Sequence, residues 1–378
     1  MNSKALIPQI KVQSALDIAD LTANTHPPHA IRLLLDQVLD GISKLGWPEA
    51  SMVTGPRIVS AEENYGLLGY ANDEVTLGSA HTRWVSEKTL LRTQTTSCIP
   101  AALQQAACQR RTGERLLIAS PGITFRRDTR DRWHCAEPHQ MDVWVLCDPE
   151  EANSVLLLEL VRDVLACAIP NMAWVHRDSP HHYTEAGIEV NALAPEQAVE
   201  VLECGMIAKS LLQRLAIDPH RHGGLALGMG LDRLVMLRKG IPDIRLLRDP
   251  LPRVQAQMYD LLPWKPVSRL PSTRRDMSLA LSPGLSEEAI TERVLAAAGT
   301  RANWIEEVTI KGRWSEAELP TVARERLGLL AGQENVLLGI VLRDSSRSLS
   351  AQEGNSLYDD LQAALHEGTP GGGYRLNP

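Results

Sequence analysis

The sequence predicts an α+β protein built as two domains, on three observations. Residues 116–146 and 188–230 carry apolar and alternating runs of strand length, set among stretches with helical spacing. A Pro-rich segment, YDLLPWKPV (259–267), breaks that pattern and reads as a linker. Beyond it the pattern restarts as strand, helix, strand, strand, helix, the order of a small ferredoxin-like α+β domain. The predicted division is 1–258, a linker over 259–267, and 268–378.

Composition narrows the function classes. With 378 residues and 44% apolar content, the chain has material for two or three domains with sizeable cores. No apolar run reaches the roughly 18 residues that would span a bilayer, and Glu159, Arg162 and Asp163 interrupt the most apolar stretch. The first 22 residues have neither a signal-peptide nor a transit-peptide pattern, so a cytoplasmic protein is expected. Six scattered cysteines without a CxxC pair fit reduced thiols rather than a disulfide framework or a zinc site. The net charge of −7 means that any nucleic-acid contact must come from a local basic patch.

In chain order, Ile31, Leu34, Leu35, Val38, Leu39 and Ile42 share one face and predict a helix over 29–45. Residues 52–56 read as a strand into a turn, and 60–90 as an irregular excursion. A helix is expected from near Pro100, preceded by the polar group Thr93, Gln94, Thr95 and Thr96. Leu116–Ala119 predicts a strand that leads by Pro-Gly to residues 123–126, and after a charged loop 140–146 a second strand closing a long-looped hairpin. Arg126, Asp128 and His134 sit near the mouth of that hairpin, either as a site or as a solvated turn. A helix over 155–168, a strand over 188–193 and a strand-to-helix run over 199–217 with its junction at Cys204-Gly205 follow. The pair His181-His182 lacks a third ligand at metal spacing, so zinc is not expected and the metal content stays open.

The most informative stretch is GGLALGMGLDRLVMLRKGIPDIRLL (223–247). Small residues alternate with apolar ones through Gly224, Ala226, Gly228 and Gly230, so a buried strand here would let a ligand lie against bare backbone. Asp232-Arg233 then opens a helical run, where a forked guanidinium is placed to clamp a phosphate. The alternative is a glycine-rich strand packed under a helix, with Arg233 salt-bridged.

Six segments in order resemble phenylalanyl-tRNA synthetase, a class II aminoacyl-tRNA synthetase, over nearly the whole chain. LLRTQTTS resembles the family's RTHTS segment, and GITFRRD with HCAEPHQMDVW resembles motif 2. HHYTEAGIEV resembles the pocket strand FPFTEPSxEV, and VLECGM is similar to VLGCGM. GLALGMGLDRLVMLRKGIPDIRLLRD resembles motif 3, and RLPSTRRDMSLAL the opening of the C-terminal domain. The layout is similar to the single-chain enzymes, a catalytic core followed by a ferredoxin-fold anticodon-binding domain.

The resemblance implies an antiparallel sheet flanked by helices, ATP and Mg²⁺ as cofactors, and an amino acid and tRNA as partners, with the oligomeric state left open. It implies that Arg126 grips the α-phosphate and the amino-acid carboxylate, and that Arg233 binds the γ-phosphate and faces adenine. Asp128 would hold the adenine amino group and His134 a distal phosphate, while Gly228 and Gly230 admit the nucleotide. Pro138 stands where the family stacks a phenylalanine on adenine. Thr93, Gln94, Thr96, Gln140 and Asp142 would surround the substrate ammonium, and His181, Tyr183 and Ala226 its side chain. Arg269, Arg274 and Arg275 are the candidate tRNA contacts.

Departures from the family concentrate at the side-chain pocket. His181, His182 and Tyr183 replace Phe-Pro-Phe, Gln94 replaces a histidine, Asp142 replaces a glutamate, and Leu225 and Leu227 replace two phenylalanines. Phe-to-His puts a hydrogen-bonding wall where an apolar one stood, so phenylalanine as substrate does not follow. Residues 262–378 hold 13 Lys+Arg against 15 Asp+Glu, a net of −2, whereas an anticodon-binding module needs a basic face; Arg275 and Asp276 read there as an internal pair. Three readings result: a synthetase of the family, a paralogue activating another amino acid for tRNA or another acceptor, and a non-catalytic amino-acid or nucleotide sensor.

Overall fold

The computed structural model describes residues 5–71, 81–126, 131–268, 270–344 and 347–369. Its contacts divide the chain into two compact units, 1–265 and 266–378.

Unit one begins with helices α1 (Gln9–Leu16) and α2 (Ala30–Lys44), followed by short strands β1 (Ala50–Met52), β2 (Ile58–Ser60) and β3 (Thr89–Leu91). Next come α3 (Ile99–Gln109), the long strands β4 (Leu116–Ile123) and β5 (His139–Cys147), and α4 (Ser154–Ala168). Strands β6 (Trp174–Asp178), β7 (Thr184–Leu193) and β8 (Ala198–Ile207) lead to α5 (Lys209–Arg214). β9 (Gly223–Gly230), α6 (Leu231–Lys239) and the single turn α7 (Pro252–Gln255) complete it. Among the described residues seven strands form one sheet in the order β1-β4-β5-β9-β8-β7-β6, parallel at β1–β4 and antiparallel elsewhere.

The helices form where the sequence pattern places them. In α2, Ile31, Leu34, Leu35, Val38 and Ile42 are buried, so one apolar stripe faces the protein. The His29 ring caps this helix: Nδ1 accepts from the Ile31 amide at 3.1 Å, and Nε2 lies 3.1 Å from the Leu247 carbonyl. Only a neutral imidazole can do both, and burial pushes its pKa down to about 4. Asn153 caps α4 by accepting from the amides of Val155 and Leu156. Helices α2, α4 and α6 pack together over one face of the sheet. On the other face, α3 and α5 join Trp144, Leu146 and Ala226 in a second core, leaving the rest of that face open as a cleft.

Three boundaries differ from the sequence expectations. The strand expected to end at Ala119 runs on: β4 passes straight through Pro121-Gly122, with Pro121 opposite Met141 of β5. It is tolerated because β1 pairs only with Leu117–Ala119, so beyond that point no strand among the described residues pairs with the outer edge of β4. Gly122 has φ of 159°, and a Cβ there would strike the Arg92 guanidinium 2.0 Å away. The predicted junction at Cys204-Gly205 is likewise interior to β8, and the chain turns at Ala208 instead. β6, with four of its five residues exposed, lacked the apolar signal that marks a strand.

Unit two orders β10 (Thr273–Leu281), α8 (Glu287–Ala298), β11 (Ile305–Ser315), α9 (Thr321–Leu327), β12 (Glu334–Leu342) and α10 (Ala351–Leu365). Its strands lie β10-β12-β11, all antiparallel, and α8 packs with α10 over one face. Met277, Leu279, Val294, Leu338, Ile340, Leu357 and Leu361 form its core. Arg275 does not pair with Asp276, since successive strand residues point to opposite faces. Arg275 donates to Asn355 Oδ1 at 2.8 Å, and Asp276 binds Lys311 at 2.6 Å.

Candidate active site

The site is a cleft of about 350 Å³ on the open face of the main sheet. Its floor is a row across three strands in which Asp142 of β5 lies opposite Gly228 of β9, and Gly228 opposite Glu203 of β8. One register step along, Gln140 lies opposite Gly230. A Cβ on Gly228 would meet only Asp142 Oδ1 at 3.8 Å, and one on Gly230 would meet nothing within 4 Å. These two glycines therefore do not relieve crowding inside the protein; they keep the cleft floor free of side chains.

Asp142 is 3% exposed and accepts three hydrogen bonds, from Thr95 Oγ1 at 2.5 Å, Thr96 Oγ1 at 2.9 Å and Trp144 Nε1 at 3.0 Å. Burial pushes its carboxyl above the ordinary range, opposed by these donors and by the Arg92 guanidinium. A carboxylate held this way at a cleft floor is favoured by any cation that docks on it.

Two arginines differ in their surroundings. Arg126 donates through Nε to the Thr93 carbonyl at 3.1 Å, and among the described residues no carboxylate pairs with it. Its charge is thus available to a ligand in the cleft that it lines. Arg233 donates to the carbonyls of Trp133 and Glu200, with the Glu200 carboxylate 3.5 Å away. The salt-bridged alternative is what the structure shows for Arg233. His134 is held through Nδ1 by Asp131 at 2.9 Å and is nearly half exposed.

Sequence reasoning missed two features. Trp133 lines the cleft with its indole N–H buried and unpartnered. Asp232, also lining the cleft, accepts from the His139 amide at 2.5 Å and from Nδ1 of the same fully buried ring at 3.1 Å. His139 Nε2 takes the Leu21 amide at 3.2 Å and lies 2.8 Å from Arg248 Nη2, so the proton sits on Nδ1. This chain ties the first turn of α6 to the start of β5. Only its tertiary geometry reveals it.

Of the predicted residues, the cleft brings together Gln94, Thr96, Arg126, His134, Pro138, Gln140, Asp142, Tyr183, Gly228, Gly230 and Arg233. Thr93 lies behind it, bonded to Asn64 through its amide and hydroxyl. His181 stands beside it and pairs with Glu203 at 3.1 Å. Ala226 is 1% exposed and does not line the cleft. Tyr183 packs against the cluster that contains Ala226, its ring stacked on Trp144 at 5.9 Å. Leu225 and Leu227 lie on the opposite face of β9, so those departures leave the cleft unchanged. Asp128 and Arg269 fall outside the described residues, while Arg274 and Arg275 belong to unit two. Among the described residues there is no group of three or more His, Cys, Asp or Glu suited to a metal ion, and no helix long and apolar enough to cross a membrane.

Comparison with known proteins agrees with this geometry. The family model described as the tRNA synthetases class II core domain (F) matches residues 15–258. The phenylalanine–tRNA ligase alpha subunit of Haemophilus ducreyi is 31% identical over 219 residues, covering 57% of this chain and 63% of that protein. Its counterpart in Haemophilus influenzae is 31% identical over 223 residues with the same coverage. The match thus spans less than two thirds of these relatives. Among solved structures, a pyrrolysyl tRNA synthetase from Desulfitobacterium hafniense aligns with 63% of this chain and 78% of its own, at 19% identity and a TM-score of 0.46. The sheet, its bare glycine floor and the match over most of unit one place this chain in the class II tRNA synthetase core family.

Proposed function

We propose that the chain activates an amino acid with ATP and passes it to tRNA. The observation that carries this reading is the pairing, in one cleft, of the Arg126 guanidinium, which has no acid partner among the described residues, with the bare floor at Gly228 and Gly230 and the buried carboxylate of Asp142. An amino acid and a nucleotide together present the complementary groups: an ammonium for Asp142, and a carboxylate and α-phosphate for Arg126. In the first step a carboxylate oxygen attacks the α-phosphorus, the bond to the β-phosphate oxygen breaks, and pyrophosphate leaves. Arg126 offsets the negative charge that grows on the α-phosphate during attack. In the second step a tRNA hydroxyl attacks the acyl carbon and AMP departs. Mg²⁺ would enter as the counter-ion of the nucleotide phosphates, which is its usual manner of binding.

Arg233 would serve a distal phosphate only after exchanging its contact with the half-exposed Glu200, which makes it a responsive rather than a preset clamp. Unit two would dock the tRNA. One observation favours a second reading, in which the acceptor is not tRNA: among the described residues seven cations of unit two are already held by acids, in the pairs Arg293–Glu367, Arg301–Asp360, Lys311–Asp276, Arg313–Glu334, Arg324–Glu316, Arg343–Glu306 and Arg347–Glu353. Arg274 is exposed and without such a partner among the described residues. Hydroxylamine trapping with ATP and mixed amino acids tests the first step, and acid-precipitable esterification of bulk tRNA the second. Hydroxamate together with charged tRNA is expected. Hydroxamate without charging selects the second reading, and neither product sinks the proposal.

A further inference from the structure

Resting on that reading, we propose that the cleft selects an amino acid whose side chain carries a hydrogen-bond donor, and that Glu203 is the residue that reads it. Glu203 stands on the floor row directly across bare Gly228 from Asp142, so the two carboxylates face one space with no side chain between them. A substrate ammonium settled on Asp142 places the rest of the amino acid over Gly228, within reach of the second carboxylate. At this residue the strand carries glutamate where the family's VLGCGM carries glycine.

The surroundings argue against an apolar side chain. Tyr183 packs against the cluster holding Ala226, which is 1% exposed, so the small residue of β9 does not open a slot for a ring. What meets the substrate beside Tyr183 is the Glu203 carboxylate, 40% exposed and held on one side by His181 Nε2 at 3.1 Å. The hydrogen bond from His181 orients one oxygen and leaves the other able to accept. Glu203 raises the pKa of the imidazole in return, chiefly through this hydrogen bond. A benzyl group would strip water from that hydrogen-bonded pair and return no hydrogen bond. Sites built to bond a polar substrate reject the analogue lacking it by on the order of 10⁴-fold.

The test is ATP–pyrophosphate exchange by the full chain with each of the twenty amino acids, repeated with Glu203→Gln and Glu203→Gly after circular dichroism has verified their folds. Fastest exchange is expected with an amino acid bearing an amide, amine, imidazole, indole or hydroxyl donor. Glu203→Gln should raise its KM at least about tenfold, and Glu203→Gly should narrow the gap to phenylalanine. Fastest exchange with phenylalanine or an aliphatic amino acid overturns this inference while the activation reading stands. An unchanged KM in Glu203→Gln also overturns it. Exchange with none of the twenty overturns the activation reading and this inference together.

Discussion

Asp142 is the residue on which the account leans most at the smallest scale. Replacing it by asparagine keeps its size and one oxygen for Thr96 and Trp144, but removes the charge and turns the acceptor facing Thr95 into an amide donor. Hydrogen bonds to a charged group are worth about 1.5–3 kcal/mol, so kcat/KM for the amino acid should fall by about 10- to 100-fold in steady-state kinetics. Arg126→Lys should not rescue Arg126→Ala, because a point-charged ammonium lacks the fork that spans a carboxylate and a phosphate together. His29 provides a residue-scale test of stability. Its folded pKa of about 4 lies below the ordinary 6.5, so between those values the unfolded chain binds the extra proton and stability falls as the pH drops. The shift corresponds to about 3 kcal/mol, present above pH 6.5 and lost by pH 4. Urea unfolding across that range should show His29→Asn, which retains a cap, losing less stability on acidification than the parent.

At the scale of elements, β9 does the positioning. Gly228→Ala adds a methyl to open space and removes a conformationally costly glycine from a strand. Its thermal midpoint should therefore hold or rise, while calorimetry shows nucleotide or amino-acid affinity reduced at least about tenfold. That separation of stability from binding would not occur if the glycines served packing. Elements with a strong period were legible in the residues: α2 from its apolar stripe and β9 from its small–apolar alternation. β6 was not, since an exposed strand has no apolar face to display, and Pro121-Gly122 misled because a vacant strand flank is a tertiary fact. The site divides the same way. Arg126, Asp142 and the glycines could be read from motifs that resemble a family, whereas Trp133, the Asp232–His139 contact and Glu203 meet the cleft only through sheet register and loop return.

For the whole molecule, the proposed function divides between two compact units. The family match ends at residue 258 and the first compact unit at 265, so the proposed activation step falls to unit one. A chain ending at Lys265 should retain adenylation and lose charging of tRNA, read by hydroxamate trapping and by esterification. Because acids pair with seven cations of unit two among the described residues, tRNA binding by the full chain should show a shallow salt dependence, equivalent to few phosphate contacts. The most direct test of the central claim is amino-acid-dependent ATP–pyrophosphate exchange by the full chain, set beside Arg126→Ala. The account predicts exchange that requires an amino acid and falls by about 10²- to 10³-fold in the variant without loss of fold. Exchange that survives in Arg126→Ala, or a folded parent chain that catalyses none, would contradict it.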